Sequence, residues 1–392
     1  MAAVPITRLA LDGKKVLVRC DFNVPLENGR ITDPTRIEAS LETIRYILSG
    51  HGAAVLCSHL GRPKERTPDL SLKPVAEYLS EVLGQRVILA PDCIGDITGR
   101  LVADLAPGHA LLLENLRFHN EEEANDRDFA HELARGKTVY INDAFGTAHR
   151  AHASTVGVTR FIAQRGAGFL MIRELNALRA VTENPRPPYV AILGGAKVSD
   201  KIEVTRNLLT KVDALLIGGA MAYTFLKARG VAIGKSRLEE DKLEVARELL
   251  QLAQKRNVTM LLPSDHVVAS TPGLNATPEV VVEIPLDRMG LDIGPTTVAS
   301  FIAQLTPART VVWNGPLGLY EIPAFAQGTL AVGAALAKLT DVTTVLGGGD
   351  TAAAIAGRPW ASQFTHISTG GGATLEYLEG KELPGVKALE SP

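Results

Sequence analysis

The run Tyr189-Val190-Ala191-Ile192-Leu193-Gly194-Gly195-Ala196-Lys197-Val198-Ser199-Asp200-Lys201 decides the fold. Five consecutive apolar residues, rather than alternating ones, predict a strand buried on both faces, as in a parallel sheet. Two glycines follow at once, where backbone turns tightly or comes close to a ligand. A helix opening after them would aim unpaired N–H groups at an anion. Lys197 and Lys201 stand four apart at that predicted helix start and so share one face, which suits a polyphosphate chain.

The same pattern recurs through the second half of the chain. Ala214–Ile217 runs into Gly218-Gly219, and Thr310–Trp313 into Asn314-Gly315-Pro316. Thr343–Leu346 runs into Gly347-Gly348-Gly349-Asp350-Thr351, and Thr365–Ser368 into Thr369-Gly370-Gly371-Gly372. Thr259–Leu262 is a further apolar run. One glycine loop is as readily a tight turn; five at one sheet edge argue for a phosphate site. Asp350 is placed to be the carboxylate for a nucleotide-bound Mg²⁺. Two look-alikes are rejected. Gly230–Ser236 is one residue short of a Walker A loop and follows a helix. Gly347–Ala352 fits a loose dinucleotide pattern, but Ser368 and Thr369 stand where an acidic ribose ligand belongs.

Toward the N-terminus the strand ends are basic instead. Lys15–Arg19 leads into Cys20-Asp21-Phe22-Asn23, and Ala53–Cys57 into Ser58-His59-Leu60-Gly61-Arg62. Ala110–Leu113 leads into Glu114-Asn115-Leu116-Arg117, and Thr138–Ile141 into the stretch Asn142–His152, which contains Arg150. Arg36 joins them just after Asp33-Pro34. Ligands bind beyond the carboxyl ends of parallel strands, and the guanidinium fork matches phosphate and carboxylate. A single arginine reads as a solvated surface residue. Several at one rim repel each other unless an anion sits among them, so the rim predicts a compact, multiply anionic substrate. His149 and His152 have no acidic or cysteine ligand at a metal-site spacing and are read as part of the same anion site.

Strands alternate with amphipathic helices over Arg36–Leu48, Leu72–Leu83 and Glu239–Lys255, which makes the class α/β with right-handed crossovers. A length of 392 residues predicts two domains. The boundary falls in a helix from Phe169, ended by Asn184-Pro185-Arg186-Pro187-Pro188. A net charge of −2 argues against a nucleic-acid coat. No run approaches a membrane span, and the N-terminus lacks the pattern of a secretory signal. Three cysteines without a CxxC suit a reducing compartment. The expectation is a cytoplasmic protein with no nucleic-acid or membrane partner.

Assembled, the stretch Val18–Leu26 resembles the signature segment of the phosphoglycerate kinase family. Ser58–Pro63, Asn142–Ser154, Gly194–Lys201, Trp313–Glu321, Gly347–Thr351 and Ser368–Gly372 are similar to its other motifs, over essentially the whole chain. Pro34 and Leu319-Tyr320 are mild departures. The resemblance implies two Rossmann-like lobes, each a parallel sheet flanked by helices: a substrate lobe, 1–168, with 375–392 packing back on it, and a nucleotide lobe, 185–374. The interdomain hinge helix is 169–184. It implies reversible phosphoryl transfer from 1,3-bisphosphoglycerate to ADP, giving 3-phosphoglycerate and ATP with Mg²⁺, by a monomer whose lobes close.

Carried onto matching positions, Asp21 and Asn23 would hold the glycerate hydroxyl region. His59, Leu60, Gly61, Arg62, Arg117 and Arg150 would hold the non-transferred phosphate end. Arg36 and Lys197 would flank the phosphoryl group in flight, with amides of Gly371 and Gly372 beside it. Lys201, Gly219, Gly290, Leu291, Asn314, Pro316, Glu321, Gly348, Gly349, Asp350 and Thr351 would hold nucleotide and metal. A carboxylate leaving group is already ionised near neutral pH and needs no general base, so catalysis reduces to positioning and charge neutralisation. The alternatives are a non-catalytic nucleotide-binding scaffold of the same fold, opposed by the presence of Arg36, Lys197 and Asp350, and an NAD-dependent oxidoreductase resting on the loose Gly347–Ala352 match alone.

Overall fold

Each apolar run read above lies in one of two six-stranded parallel sheets. The computed structural model describes residues 3–390. The first sheet comprises β1 (Lys15–Arg19), β2 (Ala53–Cys57), β3 (Ile88–Leu89), β4 (Ala110–Leu112), β5 (Val139–Asn142) and β6 (Gln164–Ala167), in the order β3-β4-β2-β1-β5-β6. Farther along lie β7 (Tyr189–Leu193), β8 (Ala214–Ile217), β9 (Thr259–Leu261), β10 (His266–Ala269), β11 (Glu279–Val281), β12 (Met289–Ile293), β13 (Thr310–Asn314), β14 (Thr343–Gly347) and β15 (His366–Ile367). The second parallel sheet has the order β9-β8-β7-β13-β14-β15, and β11-β10-β12 form a small antiparallel sheet.

Burial on both faces explains the unbroken apolar runs. Leu17 pairs with Val55 on one side and Tyr140 on the other. Ile192 pairs likewise with Leu216 and Trp313. Every residue of β2 and β7 is buried, and each large apolar side chain so removed from water contributes roughly 1.5–3 kcal/mol. The flanking helix Thr35–Ser49 packs Ile37, Leu41, Ile44 and Ile47 into the first core. In each sheet the strand order reverses beside its first strand, between β1 and β5 and between β7 and β13. Open parallel sheets bind ligands at such points.

Several boundaries differ from expectation. β15 is two residues long, not four. Glu239 lies outside its helix, because Glu240–Lys242 is a 3₁₀ turn and the α-helix runs Leu243–Lys255. β3 is too short, and β6 too polar, to show as an apolar run. The antiparallel sheet carries exposed Val280 and has no counterpart in the sequence reading.

Among the described residues, those up to Leu175, with those from Glu382 onward, form one compact unit, and Asn176–Lys381 form a second. The helix Phe169–Thr182 contains that division. Its start is set by Asp143, whose carboxylate accepts from the Met171 amide at 3.2 Å. A side chain at Gly168 would meet that carboxylate at 2.2 Å. The tail packs on the first unit from Glu382 rather than from 375. Gly385 N donates to Ala148 O at 2.8 Å, whereas Leu378 O accepts from Asn207 of the second unit at 2.6 Å. Ser391 and Pro392, the end of the predicted 375–392 segment, lie outside the described residues. Among the described residues no helix is long and apolar enough to cross a membrane.

Candidate functional site

In the first unit the basic strand ends converge on the C-terminal edge of β1, β2, β4 and β5. Arg19 closes β1 and is buried. Its Nε donates to Ser154 Oγ at 2.8 Å, and its Nη1 to Cys20 O. Its Nη2 lies 3.2 Å from His59 Nδ1. A guanidinium only donates, so His59 Nδ1 is the acceptor and the ring proton sits on Nε2. Burial, then the charges of Arg19, Arg117, Arg36 and His152, holds the His59 pKa well below its ordinary value. His59 is therefore a neutral donor.

Asp21 accepts from Arg36 Nη1 at 3.0 Å and from Asn23 N at 3.2 Å. Asn23 Oδ1 accepts from Gly61 N at 2.8 Å, which commits its oxygen and leaves its NH₂ as the available group. Arg117 is anchored through Nη1 to Gly61 O at 2.8 Å and pairs with Glu123 at 2.9 Å. Burial lowers the Arg117 pKa against the pull of Glu123, and Arg19 and Arg150 lower it further. Arg150 Nε donates to His149 Nε2 at 3.2 Å. Arg62 is exposed. Leu60 is buried with its N–H given to Asn115 Oδ1, so it braces the loop. Beneath the rim, Glu122 accepts from Ser154 N and Oγ at 2.9 and 2.5 Å and lies 3.8 Å from His152 Nδ1. Burial, ahead of Arg19, depresses His152 to about 4, with Arg117 and Arg150 adding to this against Glu123.

In the second unit, glycines crowd the switch point between β7 and β13. A Cβ on Gly194 would lie 2.1 Å from Pro316 O. Gly315 has φ +97°, and its Cβ would lie 2.3 Å from Gly194 O. Gly195 N donates to Pro316 O at 2.9 Å and Gly219 N to Leu317 O at 2.8 Å. Gly219 is thus a packing glycine whose amide is spent. These contacts build one wall of a cavity of about 300 Å³, lined also by Ala196, Ala220, Arg237, Pro272, Met289, Gly290, Leu291, Gly318, Leu319, Tyr320, Glu321 and Asp350. Gly290, Leu291, Pro316, Glu321 and Asp350 were expected there. Arg237, Pro272 and Met289 were not, since they follow no parallel strand, and Tyr320, in the loop after β13, was read only as a mild departure beside Glu321.

Lys201 Nζ donates to Asn314 Oδ1, and burial lowers its pKa against Asp200 and Asp350. Lys197 and Lys201 do not share a helix face. Regular structure begins only with the 3₁₀ turn Ser199–Lys201, which leaves Lys197 exposed in the preceding loop. The free helix amides expected after Gly195 are also spent, because Glu239 accepts from Val198 N and Ser199 N. The Thr351 hydroxyl is committed inward, donating to Gly347 O at 2.8 Å and accepting from Gly315 N at 2.7 Å. Gly348 has φ +92° and precedes the helix Gly349–Ile355; Gly371, φ +54°, precedes the helix Gly372–Leu378. The first amides of a helix lack partners within it.

Asp350 is exposed on the cavity wall. A hard carboxylate open to water fits Mg²⁺, which keeps much of its hydration and takes one or two carboxylates. Elsewhere, Asp92, Cys93 and His119 bring ligand atoms within 4.8 Å of one another. That group is internally satisfied: the Asp92 carboxylate bonds His119 Nε2 at 2.7 Å, Cys93 N at 2.6 Å and Arg66 Nη1 at 3.1 Å.

Comparison with known proteins follows the same lines. Residues 6–381 match the family model described as phosphoglycerate kinase. A phosphoglycerate kinase of Koribacter versatilis is 54% identical, over 99% of each chain. A cytosolic phosphoglycerate kinase of Triticum aestivum is 53% identical, over 97% of this chain and 96% of that one. The solved phosphoglycerate kinase of Coxiella burnetii superposes with a TM-score of 0.91 at 41% identity, covering 99% and 98% of the two chains.

Proposed function

The chain belongs to the phosphoglycerate kinase family, and on that premise we propose how its residues carry the reaction. It is an enzyme of reversible phosphoryl transfer, interconverting 1,3-bisphosphoglycerate plus ADP and 3-phosphoglycerate plus ATP. The glycerate ligand lies on the first unit's rim, with Asp21 and Asn23 at its hydroxyl region. Arg62, Arg117, Arg150 and the His59 Nε2–H hold its non-transferred phosphate. The nucleotide occupies the glycine-walled cavity of the second unit, against Gly290, Leu291, Pro316 and Glu321. Lys201, Asn314 and the loop Gly348–Thr351 stand toward its phosphates. Arg36, Lys197 and the amides of Gly371 and Gly372 serve the phosphoryl group itself. Mg²⁺, when bound at Asp350, neutralises charge on the nucleotide phosphate oxygens.

One observation carries the division of roles. His59 has its acceptor nitrogen occupied by Arg19, so it donates to substrate and does not take a proton. Transfer to and from a carboxylate needs no base; it needs alignment and cations. An acyl phosphate must also be kept from water, so we place a hinge in the helix Phe169–Thr182. The division between the compact units inside that helix supports this. The working form is read as a monomer. A cytoplasmic compartment is read from cysteines that are all free and buried.

The test is ATP-dependent phosphorylation of 3-phosphoglycerate, read by a coupled assay that consumes the acyl phosphate. Turnover that requires Mg²⁺ and falls about 100- to 1,000-fold in Lys197→Ala, to a residual rate that can still be measured, is expected. A Lys197→Ala enzyme with undiminished kcat would overturn the assignment of that residue, and turnover unaffected by chelation would overturn the metal.

A further inference from the structure

We propose that Glu239 is a positioning residue for catalysis, acting as a clamp that holds the Lys197 loop in its productive shape; this rests on the role given to Lys197 above. Glu239 stands just before the 3₁₀ turn Glu240–Lys242, 40 and 41 residues beyond the two residues it touches in space. Its Oε2 accepts from the amides of Val198 and Ser199, the latter at 3.1 Å, and its Oε1 accepts from Ser199 Oγ at 2.6 Å. One carboxylate therefore takes three donors from two consecutive residues. Burial would raise the Glu239 pKa, but the hydrogen bonds from Ser199 and Val198 outweigh it and hold the group below its ordinary value, so it is ionised at neutral pH.

The other end of the loop is tied independently. Gly195 N donates to Pro316 O at 2.9 Å, and Gly195 O accepts from Met221 N at 3.0 Å. Glu239 is itself anchored to the helix Met221–Ala228, since its own N–H donates to Thr224 Oγ1 at 3.3 Å. With both ends fixed, only Ala196 and Lys197 remain exposed between them. The clamp does a second thing. It consumes amides at the start of the following helix that would otherwise attract an anion, so a phosphoryl group is left to the Lys197 ammonium. Without the carboxylate those amides are unpaired, and the loop is free to bind a phosphate in the wrong place.

The prediction is a fall in kcat in Glu239→Ala of about 100-fold, the scale expected when a reacting group is displaced by an ångström. The KM for 3-phosphoglycerate stays unchanged. Glu239→Gln keeps an oxygen for the two amides and should retain most of the turnover. It also serves as the folded comparison if Glu239→Ala proves unstable by thermal melt.

The deciding measurement is the double-mutant cycle with Lys197→Ala. If Glu239 acts through Lys197, the double variant is no slower than Lys197→Ala alone. Additive losses would overturn the clamp while leaving Lys197 in its role. A Lys197→Ala enzyme of normal kcat beside an impaired Glu239→Ala would instead refute the Lys197 assignment, and the clamp with it. Equal loss in Glu239→Gln and Glu239→Ala would also overturn the proposal, since the geometry is kept in the first.

Discussion

Gly290→Ala should close the nucleotide cavity from within the fold. Gly290 lies on β12 at the cavity wall, and a Cβ there would sit 1.9 Å from Tyr223 Oη. Ordinary contact begins near 3.4 Å, so about 1.5 Å of separation must be found. Tyr223 cannot supply it. Its ring is buried against Leu226, Ile233, Val268 and Ile284, and its hydroxyl lies 3.5 Å from His266 Nδ1. The other side is held too, because Gly290 N donates to Ser236 Oγ at 2.9 Å. The soft direction is the cavity of about 300 Å³, into which β12 must advance. Overpacking of this kind costs roughly 1–3 kcal/mol, which corresponds to about 5- to 150-fold weaker ADP binding. Isothermal titration with Mg-ADP measures it, with Gly273→Ala as the control because nothing lies within 4 Å of a Cβ there. Binding of 3-phosphoglycerate should be unaltered. Wild-type ADP affinity in a folded Gly290→Ala would refute the placement of the nucleotide in this cavity.

Two further outcomes follow from the first unit. Arg36→Ala should lower kcat by about 100- to 1,000-fold, the loss of a charge that stabilises a transition state, with ADP affinity unchanged in equilibrium titration; an equal loss of ADP affinity would remove Arg36 from that role. His152 has a folded pKa depressed to about 4 by burial and then by Arg19, below an ordinary 6.5. Stability is therefore undiminished above pH 6.5 and falls as pH drops from 6.5 toward 4, because the unfolded chain takes up a proton that the folded site refuses. Urea unfolding of wild type and His152→Gln at pH 7 and pH 4 checks this: the variant should lose less, and identical slopes would contradict the burial argument.

Much of the candidate site is legible in the chain because its residues follow strands directly. Asp21 and Asn23 come after β1, His59 and Gly61 after β2, and Asn314 and Pro316 at and after β13. A parallel sheet places all such ends at one edge, so strand prediction and ligand position arrive together. What could not be read is how those residues are committed. Thr351 looks like a phosphate ligand in sequence, yet its hydroxyl is spent on Gly347 and Gly315. Gly219 looks like a flexible ligand loop, yet it is a spacer against Gly195. Lys197 and Lys201 look like a pair, yet the helix begins too late to align them.

The apolar runs, the glycines after the strands of the second sheet and the arginines after those of the first are local patterns, governed by burial on two faces and by backbone freedom. Those the sequence determined by itself. The tautomer of His59, the orphaning or satisfaction of helix amides and the grip of Glu239 on Val198 and Ser199 depend on partners tens of residues away. Hydrogen bonds are short-ranged and directional, so a donor's availability is decided only when the chain has brought its acceptor within about 3 Å. Composition and spacing carry no record of that meeting, and the tertiary structure alone settled which groups of the site remain free to meet a ligand.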